Sequence, residues 1–291
     1  MEYLFFPGCS LEFTAKGYDH SSRAVADALG CRLRELPDWN CCGATSYMSI
    51  RELTSHGLSA RDLALAEAEG AKDLVTVCSA CYTVLSKTND YMAEMPEFAR
   101  KIRSALNAVG LDYNGTVRVR HLLDVIVNDI GLDTVREKVV NPLDGLRVAC
   151  YYGCQLTRPH GRFDDPEDPQ TLEQLVSALG ATPVHYPLKA KCCGAMVVNT
   201  GGDDLLHLVD ALLASAKDAD ADCIVTPCPL CHFNLEFYQQ DIKTKLKQDY
   251  RLPVYYFTQL IGLALGISAE ELGFGLELIP SQKLIANYAR V

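Results

Sequence analysis

The chain has 291 residues, of which 48% are hydrophobic and 22% charged, the balance of a globular protein with a real core and room for two modest domains or one large one. A formal net charge of −10 repels phosphate backbones and anionic membrane faces, so no nucleic-acid partner and no direct membrane insertion are expected. The opening residues Met1 to Pro7 carry no basic leader, and the longest apolar run, residues 260–267, falls short of the roughly 20 residues that cross a bilayer, so a cytoplasmic location is expected.

Periodicity predicts alternating strands and helices. Residues 3–6 form an apolar strand ending at Cys9, residues 18–29 a helix, and residues 32–36 a strand before the Cys41-Cys42 loop. A long helix over 53–69 ends at Gly70, and a strand over 74–77 delivers Cys78 at its tip. A strand over 117–120 leads into a helix over 122–130. The order then repeats, with strands at 147–151, 184–186, 224–226 and 254–257 and helices at 172–179 and 204–216. Such alternation argues for an α/β protein of two pseudo-symmetric modules, each with a small, mainly parallel sheet and cysteine-bearing loops at the carboxyl ends of strands. The polar stretch 133–145, with Asn141-Pro142 and Asp144-Gly145, reads as the linker between modules at 1–140 and 141–291.

Thirteen cysteines is a high and odd number, and two adjacent pairs occur, Cys41-Cys42 and Cys192-Cys193. Neighbouring cysteines cannot bridge without strain, and a reducing compartment disfavours disulfides, so metal or cluster binding is the better reading. Ten of the thirteen fall in an internal repeat. Gly8-Cys9-Ser10-Leu11 matches Gly153-Cys154-Gln155-Leu156 at an offset of 145, Cys41-Cys42-Gly43-Ala44 matches Cys192-Cys193-Gly194-Ala195 at 151, and Cys78-Ser79-Ala80-Cys81 matches Cys228-Pro229-Leu230-Cys231 at 150. Cys31, Cys150 and Cys223 do not recur and read as small buried apolar side chains.

A site for thiolates must stabilise negative sulfur, and a Cys-x-x-Cys at a strand-to-helix turn does so through free N–H groups and the positive end of the helix dipole. Glycines beside the cysteines (Gly8, Gly43, Gly153, Gly194) let backbone pass close to a bulky group. Each half presents five cysteines, one more than a tetrahedral zinc or an ordinary cubane uses, which suggests a cluster of unusual shape. One structural zinc per half is the plainer alternative, although zinc sites usually pair two knuckles and each half has a single Cys-x-x-Cys.

This pattern resembles the cysteine-rich CCG module, and two tandem copies resemble the B subunits of the heterodisulfide reductase family, with the wording around Phe6-Pro7-Gly8-Cys9 and Asp38-Trp39-Asn40-Cys41 closer to the bacterial relatives. The resemblance implies two noncubane [4Fe-4S] clusters, one held by Cys9, Cys41, Cys42, Cys78 and Cys81 and the other by Cys154, Cys192, Cys193, Cys228 and Cys231. It further implies an oxidoreductase acting on sulfur groups, which reduces or forms a disulfide at those clusters. Cys41, Cys42, Cys192 and Cys193 are then the catalytic positions. The electrons come, by the same resemblance, from a ferredoxin-like protein (the family's C subunit) and a flavoprotein (its A subunit). Two other readings stand beside it: an electron-transfer module that passes electrons to another subunit or a quinone without bond chemistry, and a structural zinc protein. No Gly-x-Gly-x-x-Gly lies near a first strand, so a flavin is not expected on this chain.

Several other residues carry two readings. Arg158, His160 and Arg162 either grip an anionic substrate tail or form a solvated loop, and Lys189 and Lys191 either steady a reduced cluster or are solvated. His232 either protonates a leaving thiolate or is structural, and Trp39 either shields the first cluster or is an ordinary core residue.

Overall fold

The structure, a computed structural model, describes residues 1–44, 46–198, 200–280 and 286–288, with backbone alone at 46 and 47. The first half runs β1 (Glu2–Phe6), α1 (Cys9–Glu12), α2 (Lys16–Ala28), β2 (Arg32–Glu35), α3 (Ser46–Ile50), α4 (Glu52–Ala68), β3 (Asp73–Thr76), α5 (Ser79–Glu94), α6 (Pro96–Asn107), β4 (Arg118–His121), α7 (Leu122–Asp124), a π-helical segment Val125–Gly131 and α8 (Leu132–Lys138). The second half runs β5 (Arg147–Cys150), α9 (Thr171–Ala178), β6 (Thr182–Pro183), a 3-10 turn Ala195–Val197, α10 (Gly202–Asp218), β7 (Cys223–Thr226), α11 (Pro229–Phe237), α12 (Gln239–Lys245), β8 (Val254–Tyr256) and α13 (Phe257–Ala264).

Each half holds one four-stranded sheet, ordered β2-β1-β3-β4 and β6-β5-β7-β8, and every pairing is parallel. Helices cover both faces, so the central strands are nearly all apolar: Leu4, Phe5, Phe6, Leu74 and Val75 in one, Val148, Ala149, Ile224 and Val225 in the other, all buried. The chain order reverses between β1 and β3 and again between β5 and β7. In an open parallel sheet the crevice outside the carboxyl ends at such a reversal is where ligands sit. Cys9 follows β1 and Cys78 follows β3 there, and Cys154 and Cys228 follow β5 and β7.

Three expectations shift. The strand expected at 184–186 is displaced to Thr182–Pro183, because Pro183 lacks the N–H that would extend the ladder, and Val184 gives its last bond to Val148 O at 2.9 Å. The helix expected at 122–130 breaks into α7 and the π-helical segment before Gly131. Part of the stretch read as linker is helical, since Leu132 and Val135 sit one turn apart and Val135 is fully buried. Cys31, Cys150 and Cys223 are buried, the last two inside β5 and β7.

The halves share one continuous core. Tyr18 of α2 stacks on Tyr256 at 3.9 Å between ring centroids and 7° between planes, and Ser21 Oγ lies 2.7 Å from Thr258 Oγ1. His121, at the end of β4, reaches across so that its Nε2 lies 3.1 Å from Pro227 O, one residue before Cys228. The fold thus presses the carboxyl ends of both sheets toward each other.

Candidate iron–sulfur site

Cys78 is the N-cap of α5 and Cys228 the N-cap of α11, both in extended conformation at the strand-to-helix turn. The thiol of Cys228 is held far below its ordinary pKa, first by bonds from Cys231 and Cys78 and then by the free N–H groups of Cys231 and Leu230 in the first turn. Cys41 is pushed down by bonds from Cys42 and Cys9 and by Gly43 N–H, and Cys192 down to about 6 by Cys154 and Gly194 N–H.

The sulfurs of the first half form one string of contacts, and those of the second half fall in two groups. Cys9 meets Cys41, Cys41 meets Cys42, Cys42 Sγ lies 3.2 Å from Cys81 Sγ, and Cys81 meets Cys78. In the second half Cys154 meets Cys192, Cys193 Sγ lies 3.5 Å from Cys231 Sγ, and Cys231 meets Cys228. The strings join where Cys78 contacts Cys228. Their outer ends reach the surface, since Cys9 and Cys41 are exposed and Cys154 and Cys192 half-buried, whereas the other six are buried. No disulfide joins any of the thirteen cysteines.

Among the described residues no three His, Cys, Asp or Glu side chains are set around one metal-ion position. The donor set is instead a row of five soft sulfurs per half, the ligand chemistry of iron–sulfur clusters. Room beside the sulfurs comes from glycine: a Cβ on Gly8 would lie 3.1 Å from Cys81 Sγ, and one on Gly153 would lie 2.9 Å from Cys231 Sγ.

Residues that the sequence pattern did not single out hold the paired-cysteine loops. Ser59 Oγ donates to Cys42 O, Ser55 Oγ donates to Gly43 O at 2.7 Å, and Asp62 accepts from Asn40 N at 2.9 Å. Burial raises the Asp62 carboxyl to about 8, against the bond from Asn40. Ser55, Ser59 and Asp62 are spaced i, i+4, i+7 and fully buried, so polar residues on the inward stripe of α4 were the available signal. In the second half Asn234 Nδ2 donates to Cys193 O at 2.9 Å.

The cysteine-rich CCG domain matches residues 3–86 and 148–236, the two segments that carry these strings. Over 97% of this chain and 95% of the relative, the sequence is 33% identical to the B subunit of the ferredoxin/F(420)H(2)-dependent CoB-CoM heterodisulfide reductase of Methanosarcina acetivorans. The chain belongs to the family of heterodisulfide reductase B subunits and their relatives. It is also 31% identical, over 97% of the relative, to a protein of Archaeoglobus profundus described as like the heterodisulfide reductase B subunit. Identity reaches 37%, over 97% of this chain and 99% of the relative, with the 8-methylmenaquinol:fumarate reductase membrane anchor subunit of Wolinella succinogenes. A hypothetical protein from Helicobacter pylori shares the fold, with a TM-score of 0.78 at 16% identity over 97% of this chain, which spans 52% of that longer one.

In this family member Arg158, His160, Arg162 and Lys189 are already engaged near the second string, whereas Lys191 beside Cys192 is exposed. His160 Nδ1 lies 2.7 Å from Asp90 Oδ2, Arg162 also pairs with Asp90, and Arg158 donates to Ala190 O at 2.6 Å. His160 and Arg162 thereby pin the 154–163 loop to α5. Lys189 is held by Asp168 and Glu173 at 2.6 and 3.1 Å. Trp39 packs edge-on against Phe6 with centroids 5.5 Å apart and donates from Nε1 to Glu35 at 3.1 Å. The opening beside Cys9 and Cys41 has a volume of 530 Å³ and is rimmed by Trp39, Glu12, Glu35 and Asp38. His232 stacks on Tyr256 with centroids 4.2 Å apart, and burial lowers it to about 4, which favours the neutral ring at pH 7. Among the described residues no helix is long and apolar enough to cross a membrane.

Proposed function

We propose that the chain is the iron–sulfur component of a multisubunit oxidoreductase, and that its ten motif cysteines hold two clusters, five sulfurs to each, in the noncubane form of the family. The observation that carries this reading is the meeting of the two sulfur sets at Cys78 and Cys228, which gathers ten soft donors between the surface at Cys9 and the surface at Cys154. Bound clusters supply single-electron uptake and release. The protein supplies the low-dielectric surroundings of the inner sulfurs, the helix N-termini that favour thiolate, and the glycines that admit the cluster. The division at 1–140 and 141–291 follows the same logic, one module per string.

Two exchange partners compete. Disulfide reduction, fed by a ferredoxin-like protein and a flavoprotein, is supported by the heterodisulfide reductase relatives. Exchange with a quinol is supported by the Wolinella relative and by two features of the site. The opening beside the exposed cysteines has, among the described residues, no Lys, Arg or His on its rim to hold an anionic disulfide, its carboxylates Glu35 and Asp38 being paired with Arg23 and Arg61, and Arg158, His160 and Arg162 already hold carboxylates or backbone. The geometry favours quinol exchange.

The test uses protein purified without air together with its partners. Metal analysis is expected to give about eight irons per chain, four to a cluster. One zinc per half and no iron would refute the cluster reading. Rapid mixing with 2,3-dimethyl-1,4-naphthoquinol, whose blocked ring carbons cannot arylate thiols, is expected to bleach the iron–sulfur absorbance. Turnover of a disulfide panel with reduced viologen, and no reaction with the quinol, would reverse the choice of partner.

A further inference from the structure

Behind the junction of the two strings lies a second cavity, of 260 Å³, between the start of α2, the outer face of α11 and the segment at 273–278. Small-molecule sites usually measure about 300–1,000 Å³, so this one accepts a ring system but not a long tail. Its walls include Phe13, Phe233, Tyr256 and Leu276, and its polar lining includes His232 and Glu236 beside Gln259.

His232 and Glu236 are both buried, and His232 keeps one ring nitrogen unpaired. His232 Nε2 has no hydrogen-bond partner although its ring is 8% exposed. Glu236 is 6% exposed, accepts from Ile279 N at 3.0 Å and from the Leu278 N–H, and faces no Lys or Arg partner among the described ion pairs. Its one charged-type neighbour at ion-pair range is His232, at 3.8 Å, and Glu277 and Lys16 also line the cavity. Burial brings the Glu236 carboxyl up to about 7, where it both takes and gives a proton in neutral solution.

Among the described residues no cysteine lines the cavity, but two residues of its wall adjoin the sulfurs. His232 directly follows Cys231, and Tyr18, Tyr256 and His232 form a stacked column. Tyr256 is near enough to Glu236 on one side and to Cys228 and Cys78 on the other for all three to influence its hydroxyl. At the mouth the rim is apolar and open to solvent: Phe13 is 76% exposed, Leu276 61% and Leu278 62%. Isolated exposed apolar residues need no explanation, but a group of them around one cavity marks a ligand or interaction site.

We propose that this cavity is the head-group site of a lipophilic quinol, with Glu236 as its proton acceptor and the apolar rim carrying the hydrocarbon tail. The proposal rests on the quinol reading above and adds the place and the acceptor. A fatty acid is disfavoured because its carboxylate would meet Glu236, and a purely apolar ligand leaves the buried His232 Nε2 without a partner. The step balances as follows. Both O–H bonds of the quinol break, two electrons pass to the oxidised iron–sulfur centres, one proton goes to the Glu236 carboxylate, the other goes to water at the mouth, and the quinone leaves.

The experiment uses the anaerobic, iron-loaded protein with its partners, and reads both equilibrium binding of 2,3-dimethyl-1,4-naphthoquinone and the bleaching rate with the matching quinol. Glu236→Gln keeps the shape of the side chain and is expected to retain iron and quinone affinity while slowing bleaching about a hundredfold, the usual contribution of a positioned base. Phe13→Glu changes an exposed side chain at the rim, keeps iron, and is expected to weaken quinone binding about tenfold, the effect of roughly 1.4 kcal/mol. If both variants bind and bleach as the parent does, the site is wrong while the quinol reading stands. If the iron-loaded parent neither binds the quinone nor reacts with the quinol, the quinol reading fails and the site falls with it. Loss of binding in Phe13→Glu with unchanged bleaching in Glu236→Gln would remove the proton role.

Discussion

Replacing Gly8 or Gly153 by alanine places a methyl group against a sulfur that we assign to a cluster. Gly8 has φ 73° and ψ 163°, a conformation open in practice to glycine alone, so any side chain there costs about 1–3 kcal/mol before it touches anything. The added Cβ would then lie 3.1 Å from Cys81 Sγ; at Gly153, with φ 70°, it would lie 2.9 Å from Cys231 Sγ. Both sulfurs are buried and already in contact with a neighbouring cysteine, so neither can swing away freely. Gly30 separates the two effects, because it has φ 79° with nothing within 4 Å of an added Cβ. Gly30→Ala is expected to lower Tm by about 2–4 °C per kcal/mol of strain and to keep its full iron. Gly8→Ala and Gly153→Ala are each expected to lose roughly half the iron, from the affected string, beyond a Tm change of similar size. The assay is iron per chain on anaerobic protein, alongside a thermal melt. Full iron in either sulfur-facing variant would show that room beside the sulfur is not what these glycines provide.

Cys→Ser at Cys41, Cys42, Cys192 or Cys193 is expected to remove iron and abolish electron exchange, whereas Cys→Ala at Cys31, Cys150 or Cys223 keeps the iron and costs about 1–2 kcal/mol of packing by denaturant melt; iron loss in the second group would overturn the assignment of ligands. Arg120 is buried between Asp124, at 2.6 Å, and Asp129, so Arg120→Ala is expected to destabilise by about 3–5 kcal/mol, measured by denaturation. Arg120 holds the Asp129 carboxyl below its ordinary range, so the stability it contributes is present above about pH 4 and is lost as pH falls through the lower folded value; Asp129→Asn is expected to flatten that acid limb, and an unchanged acid limb would refute the coupling. Asp90→Ala removes the partner of His160 and Arg162, and is expected to raise protease cleavage within the 154–163 loop while iron in the first string stays unchanged.

The parallel sheets were legible because a strand buried on both faces is written as an unbroken apolar run, as in Leu4-Phe5-Phe6 and Ile224-Val225. The cysteine strings were legible because the repeat set their order. Pro183 hid the end of β6, since the apolar residues after it resembled a strand whose ladder its ring had already stopped. The stretch before the second half read as polar, yet Leu132 and Val135 suffice to anchor a helix once α9 is there to receive them, and no local signal shows that partner. The supports of the paired cysteines were missed for a different reason. Ser55, Ser59 and Asp62 look like an interrupted amphipathic stripe until the carbonyls and amides of residues 40–43 are placed against them. Arg158, His160 and Arg162 looked available as anion ligands because Asp90, the acceptor for the last two, lies some seventy residues away in sequence.

The rows of sulfur run from the surface inward, with Cys9 and Cys41 exposed and Cys78 and Cys228 sealed beneath them. Oxygen and oxidants arrive from outside, and thiolate character with exposure sets which sulfur they reach first. Corrosion by air therefore begins at the rim of the molecule and works toward its middle. A briefly aerated sample keeps its innermost thiols reduced, and repair needs only fresh iron, sulfide and reductant at the outer end rather than an unfolding of the whole chain.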